Sequence, residues 1–140
     1  MEGDDFHPAL NVERMSAGIA LTDADRAAWL SALASQLADA SRREASIVLT
    51  CSALRQAYRD QLRSADSAIR FVCLIGSPEL LQARLESRAP HFMPASLLTS
   101  QLLAFEAPAP AEQAWTYDVA LPRDVIVADI LSRLANTPLG

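Results

Sequence analysis

Three apolar runs punctuate the chain. Residues 46–51 (Ser-Ile-Val-Leu-Thr-Cys) and 69–75 (Ile-Arg-Phe-Val-Cys-Leu-Ile) are nearly continuous in apolar side chains, and 116–120 (Thr-Tyr-Asp-Val-Ala) is shorter. Runs without polar alternation predict strands covered on both faces. The segments between them have helical spacing. Thr22 with Asp25 forms a capping-box-like start, followed by Trp29, Leu33 and Leu37 at i, i+4 and i+8. Leu54, Tyr58 and Leu62 make a second stripe. Ser77-Pro78-Glu79 reads as N-cap, N1 proline and first-turn acid, opening a helix through Leu81, Leu85 and Arg88. Pro94 opens another through Leu97, Leu98, Gln101 and Leu102. Pro122 opens the last, with Val127, Ile130, Leu131 and Leu134 facing inward. A shorter helix runs from Pro8 to Ala17 and stops at Gly18, and residues 107–111 (Ala-Pro-Ala-Pro-Ala) read as an extended connector.

Strands alternating with helices predict an α/β fold with a mainly parallel sheet and helices on both faces. Ligands in such sheets bind beyond the carboxyl ends of the strands. Attention therefore falls on residues 4–7, residues 51–54 and the loop after Ile75.

At 140 residues and 51% hydrophobic content the chain is one globular domain, residues 1–140. No 18-residue apolar stretch and no apolar N-terminal run occur, so neither a membrane span nor a signal peptide is expected. Cys51 and Cys73 lie inside apolar runs and read as buried free thiols of a cytoplasmic protein. A net charge of −5 argues against nucleic acid as a partner. The charge is unevenly spread: residues 1–41 carry −5, residues 42–88 carry +3 and residues 89–140 carry −3. A basic middle third suits small anions, although solvated helix faces give the same pattern. All 12 basic residues are arginine, so no lysine is available for a Schiff base or a phosphate loop.

Three constellations carry candidate chemistry. The first is Glu2-Gly3-Asp4-Asp5-Phe6-His7-Pro8 with the later Arg26: carboxylates in a loop can take a proton from a hydroxyl or hold a metal ion. A hydrated acidic turn would look the same. The second is Cys51-Ser52-Ala53-Leu54-Arg55 with Arg59, where Ser52 is available as a helix cap and two arginines one turn apart can grip a carboxylate or phosphate. Surface salt bridging is the alternative. The third is Arg84 and Arg88, followed by Ala89-Pro90-His91-Phe92-Met93-Pro94, which suits a hinged helical lid over residues 84–101 or an ordinary helix hairpin.

Together the segments GDDFHPALNVERMSAGIALTDADRAAWL, CSALRQAYRDQLR and RLESRAPHFMPASLLTSQL resemble the thermoresistant gluconokinase family of small P-loop kinases. The resemblance runs from Glu2 to about Leu134. It implies a three-layer P-loop kinase-like fold of the nucleoside-monophosphate-kinase type, with a helical lid. It also implies ATP-dependent phosphorylation of D-gluconate to 6-phospho-D-gluconate, with ATP and Mg²⁺ as cofactors. By resemblance Asp4 orients or deprotonates the 6-hydroxyl, and Glu2 lies near Mg²⁺. His7, Arg26 and Arg59 contact gluconate, with the arginines on its carboxylate; Asp4, Arg26 and Arg59 share one cleft; and Arg55, Arg84 and Arg88 serve ATP. The family opens with a strand, a GxxGxGK loop ending in Ser or Thr, and a helix. Met1 falls just ahead of the acidic segment, and the 140 residues are expected to lack that strand, loop and helix. Losing that cradle is expected to remove most of the rate. It also leaves unpaired strand edges, from which low stability or self-association, as in a homodimer, is expected. The alternative is a catalytically silent, kinase-derived module that binds a sugar acid or a partner subunit.

Overall fold

The computed structural model describes residues 1–87 and 94–136. The sequence folds as α1 (Ala9–Ser16), α2 (Asp23–Arg42), α3 (Gln56–Arg63), β1 (Val72–Ile75), α4 (Pro78–Glu86), α5 (Leu98–Ala104), β2 (Trp115–Asp118) and α6 (Arg123–Asn136). Short 3₁₀ turns occupy Gly3–Phe6, Ala95–Leu97 and Pro110–Glu112.

The helix starts follow their local chemistry. Thr22 Oγ1 accepts the Asp25 N–H at 3.2 Å, and Asp25 Oδ2 accepts the Thr22 N–H at 2.9 Å, so α2 opens with the reciprocal cap. Ser77 Oγ accepts the Leu80 N–H at 3.2 Å ahead of Pro78. Gly18, at φ +74, takes the left-handed position just beyond α1 that a side chain would strain.

The core forms where α2 crosses α3. Trp29, Leu30 and Leu33 from α2 meet Tyr58 and Leu62 from α3, with Phe6, Leu49, Cys51 and Phe71 packed around them. A second small cluster joins Met15, Leu21 and Leu97. No helix among the described residues is long and apolar enough to cross a membrane.

The sheet is parallel, as expected, but among the described residues it has two strands, with β1 and β2 in register from Val72 opposite Trp115 to Ile75 opposite Asp118. Residues 46–51 do not join it. Their one ladder contact is a parallel bridge between Thr50 and Glu2. Apolar content alone does not make a strand; a partner backbone must lie alongside. The expectation of two covered faces also fails for β1, where Val72, Leu74 and Ile75 are exposed. On α6 the inward residue is Ile126, whereas Val127, Leu131 and Leu134 face out. The connector at 107–111 is extended only in its first part, because Pro110 starts a 3₁₀ turn that buries Glu112.

These exposed aliphatic side chains, with Val48 at 79% exposure, give the native chain an apolar surface. At neutral pH it should enhance the fluorescence of 8-anilinonaphthalene-1-sulfonate while its near-ultraviolet circular dichroism stays that of a packed protein. An unchanged dye signal would show that this surface is covered.

Candidate functional site

The acidic turn is pinned from two sides. The Gly3 N–H donates to the Thr50 carbonyl at 2.7 Å, and the Thr50 N–H donates to the Met1 carbonyl at 3.0 Å. A Cβ on Gly3 would lie 2.3 Å from the Thr50 oxygen, so this approach requires glycine. From the other side the Trp29 indole N–H donates to the Gly3 carbonyl at 2.8 Å. The His7 ring stacks on Trp29, with centroids 4.5 Å apart and planes within 8°. His7 Nε2 is 3.9 Å from Asp4 Oδ1, and buried Nδ1 has no partner among the described residues. Burial, helped by the Arg26 charge, lowers the His7 pKa from 6.5 to about 4, so the ring is neutral at pH 7. Asp4, His7 and Arg26 thus share one neighbourhood.

Beside them an open cleft of ≈ 450 Å³ is lined by Ala20, Leu21, Thr22, Asp23, Arg26, Arg55, Ser100, Leu103 and Ala104. One wall is the start of α2, the other is α5. The Arg26 guanidinium donates to the Leu21 carbonyl and lies 6.0 Å from the centre of the Tyr58 ring. Arg55, the residue before α3, donates from Nη1 to Asp23 Oδ2 at 2.7 Å. The Tyr58 hydroxyl donates to Asp23 Oδ1. Burial and that bond raise the Tyr58 pKa, keeping the hydroxyl a donor. Two cations, one carboxylate and a phenol therefore converge here.

Arg59 has a different place from the one expected. It is 4% exposed and grips Glu112 through two bonds, Nε to Oε2 at 2.6 Å and Nη2 to Oε1 at 3.0 Å. Its Nη1 donates to the Ala53 and Leu54 carbonyls, both at 3.1 Å. It is neither a solvent-facing arginine nor a partner of Arg55 in one anion grip, and it does not line the cleft with Arg26. The cap of α3 also differs: Arg55, not Ser52, is the capping residue, and the Gln56 N–H donates to the Glu106 carboxylate at 2.7 Å. Arg84 donates to the Val119 carbonyl at 2.6 Å, bracing the end of β2. Glu2 accepts from the Thr50 hydroxyl at 2.6 Å. Arg88 and His91, and with them part of the expected lid, lie outside the described residues.

Among the described residues no three His, Cys, Asp or Glu side chains form a group that could hold a metal ion. Of the arginines expected to serve ATP, Arg55 pairs with Asp23 in the cleft and Arg84 donates to the Val119 carbonyl. Asp23 and Tyr58 were visible in the sequence as a helix-start acid and a core aromatic; their shared bond was not. Glu112 had one signal, a lone acid beside a proline-rich connector.

No protein-family model matches the chain. The gluconokinase of Gluconobacter oxydans (strain 621H) is 45% identical over 130 residues, which is 93% of this chain and 73% of that protein. An unliganded sugar kinase from Janibacter sp. HTCC2649 superposes with a TM-score of 0.91 at 39% identity, covering 96% of this chain and 78% of that one. A gluconokinase from Sinorhizobium meliloti 1021 gives 0.84 at 42% identity, covering 97% and 76%. The likeness in fold includes the P-loop kinase-type α/β arrangement.

Two strongly shifted groups mark the acid limb of stability. His7 is held below its ordinary pKa, so its contribution is complete above pH 6.5 and is lost as pH falls toward about 4. Glu112 is lowered from 4.5 to about 2, chiefly by the Arg59 bonds, so its contribution is lost only as pH falls from 4.5 toward about 2. Thermal midpoints should therefore fall in two stages on acidification. His7→Phe should flatten the first stage alone. Glu112→Gln should leave that stage intact and cost about 3–5 kcal/mol at pH 7 by stranding the Arg59 charge. A single acid transition, unchanged in His7→Phe, would contradict this.

Proposed function

The chain belongs to the gluconokinase family, a family of phosphotransferases, and from that premise we propose that its cleft binds D-gluconate and presents the 6-hydroxyl for phosphorylation. The observation that carries the reading is the convergence of Arg26 and Arg55 on one open cleft beside the turn that bears Asp4 and His7. A sugar acid has a carboxylate at one end and a primary hydroxyl at the other. Arg26 and Arg55 supply the planar donors that suit the carboxylate. Asp4 is the acceptor that orients the hydroxyl and takes its proton. Neutral His7, stacked on Trp29, lies beside Asp4 without adding a competing positive charge.

In a kinase reaction ATP with Mg²⁺ donates the phosphoryl group. In this reading the cleft and the acidic turn serve the acceptor half of that reaction.

Titration calorimetry with D-gluconate tests the acceptor half. Arg26→Ala should weaken binding roughly 10- to 100-fold, as expected for one charge-assisted contact. Asp4→Asn should bind gluconate within about threefold of the unaltered chain, because a general base acts on the reaction more than on binding. Gluconate-dependent ADP formation that disappears in Asp4→Asn supports the kinase; gluconate binding without ADP formation supports the silent module. Unaltered binding in Arg26→Ala would refute the cleft assignment.

A further inference from the structure

The cleft's two cations are not equally available. Arg55 is tied to Asp23, and the same carboxylate takes the Tyr58 hydroxyl on its other oxygen. Asp23 is thus a carboxylate held by a guanidinium and a phenol, with the Arg26 guanidinium over that phenol's ring. This is the donor set a substrate carboxylate would need. Resting on the sugar-acid reading of the cleft, we propose that Asp23 is an internal competitor: it occupies the carboxylate position in the free protein and gives it up when a sugar acid binds.

Three features support the exchange. Asp23 and Arg55 are exposed at 59% and 41%, so their ion pair is solvated and weak and is readily traded for another carboxylate. Tyr58 is 6% exposed, so its hydroxyl needs an acceptor whichever carboxylate is present; the exchange leaves no buried donor unsatisfied. The charges also balance. Arg26 and Arg55 against Asp23 leave one positive charge, which a monoanion neutralises. A neutral sugar or polyol brings no charge to displace Asp23. Asp23 therefore determines specificity, because only an anion can take its place on the arginine.

Asp23→Asn keeps the shape and removes the competing charge. By calorimetry it should bind D-gluconate roughly two- to fivefold more tightly than the unaltered chain, the size of a surface ion pair. Binding of the neutral polyol D-sorbitol should stay unchanged. Asp23→Ser, a second uncharged residue accepted in a first helical turn, should behave alike and covers the case in which the Asn variant folds poorly. Weaker or unchanged gluconate binding in both folded variants would overturn the competitor role, while loss of binding in Arg26→Ala would still uphold the cleft. Absence of gluconate binding by the unaltered chain would overturn both.

Discussion

The indole of Trp29 holds the candidate site together. Its N–H fixes the Gly3 carbonyl and its face carries the His7 ring, so one side chain from α2 sets both ends of the acidic turn. Trp29 is itself fully buried between α2 and α3. The position of Asp4 therefore depends on the packing of the core as well as on the turn's backbone hydrogen bonds. The same stretch of α2 carries Asp23 and Arg26 into the cleft, six and three residues earlier. Asp25, between them, accepts Arg14 at 3.0 Å, while its carbonyl accepts the Asn11 side chain at 2.7 Å, which ties α1 to the same turn.

The arginines divide by burial into two kinds of work. Arg59 has lost its water and takes its bonds from Glu112 and two carbonyls, and Arg63 adds a bond to the Glu112 carbonyl at 2.8 Å. That assembly fastens the connector before β2 to α3. A guanidinium so committed is costly to redeploy, because each bond withdrawn leaves a buried polar group unpaired. Arg26 and Arg55 keep water-facing surface and face the cleft, so a ligand can exchange for their present partners cheaply. Glu106 plays a quieter part: its carboxylate on Gln56 occupies the start of α3, where an anion would otherwise be drawn.

Local signals in the sequence fixed the helices well. The Thr22–Asp25 cap, the Ser77-Pro78 start and the Gly18 stop each act within a few residues, and each holds in the structure. The strands were less legible, because pairing is settled by distant backbone. Residues 46–51 have strand composition yet meet only the Glu2 segment, and α6 turns Ile126 inward where periodicity favoured Val127 and Leu131. The motif order carried the family, and Asp4, His7 and Arg26 came to lie near one another, although of the three Arg26 alone lines the cleft. Arg59 did not, since spacing places it one turn from Arg55 but gives no hint that Glu112, 53 residues later, claims it. Nor does spacing reveal that Asp23 joins Arg55 to Tyr58.

The central claim, that exposed arginines beside the Trp29-anchored turn receive a sugar acid, is tested most directly by arginine side-chain N–H resonances in ¹⁵N-labelled protein during titration with D-gluconate. The Nε signals of Arg26 and Arg55 should shift with the ligand along a common saturation curve, while that of Arg59 stays in place. A shift confined to Arg59, or no shift at Arg26 and Arg55 at saturating gluconate, would contradict it.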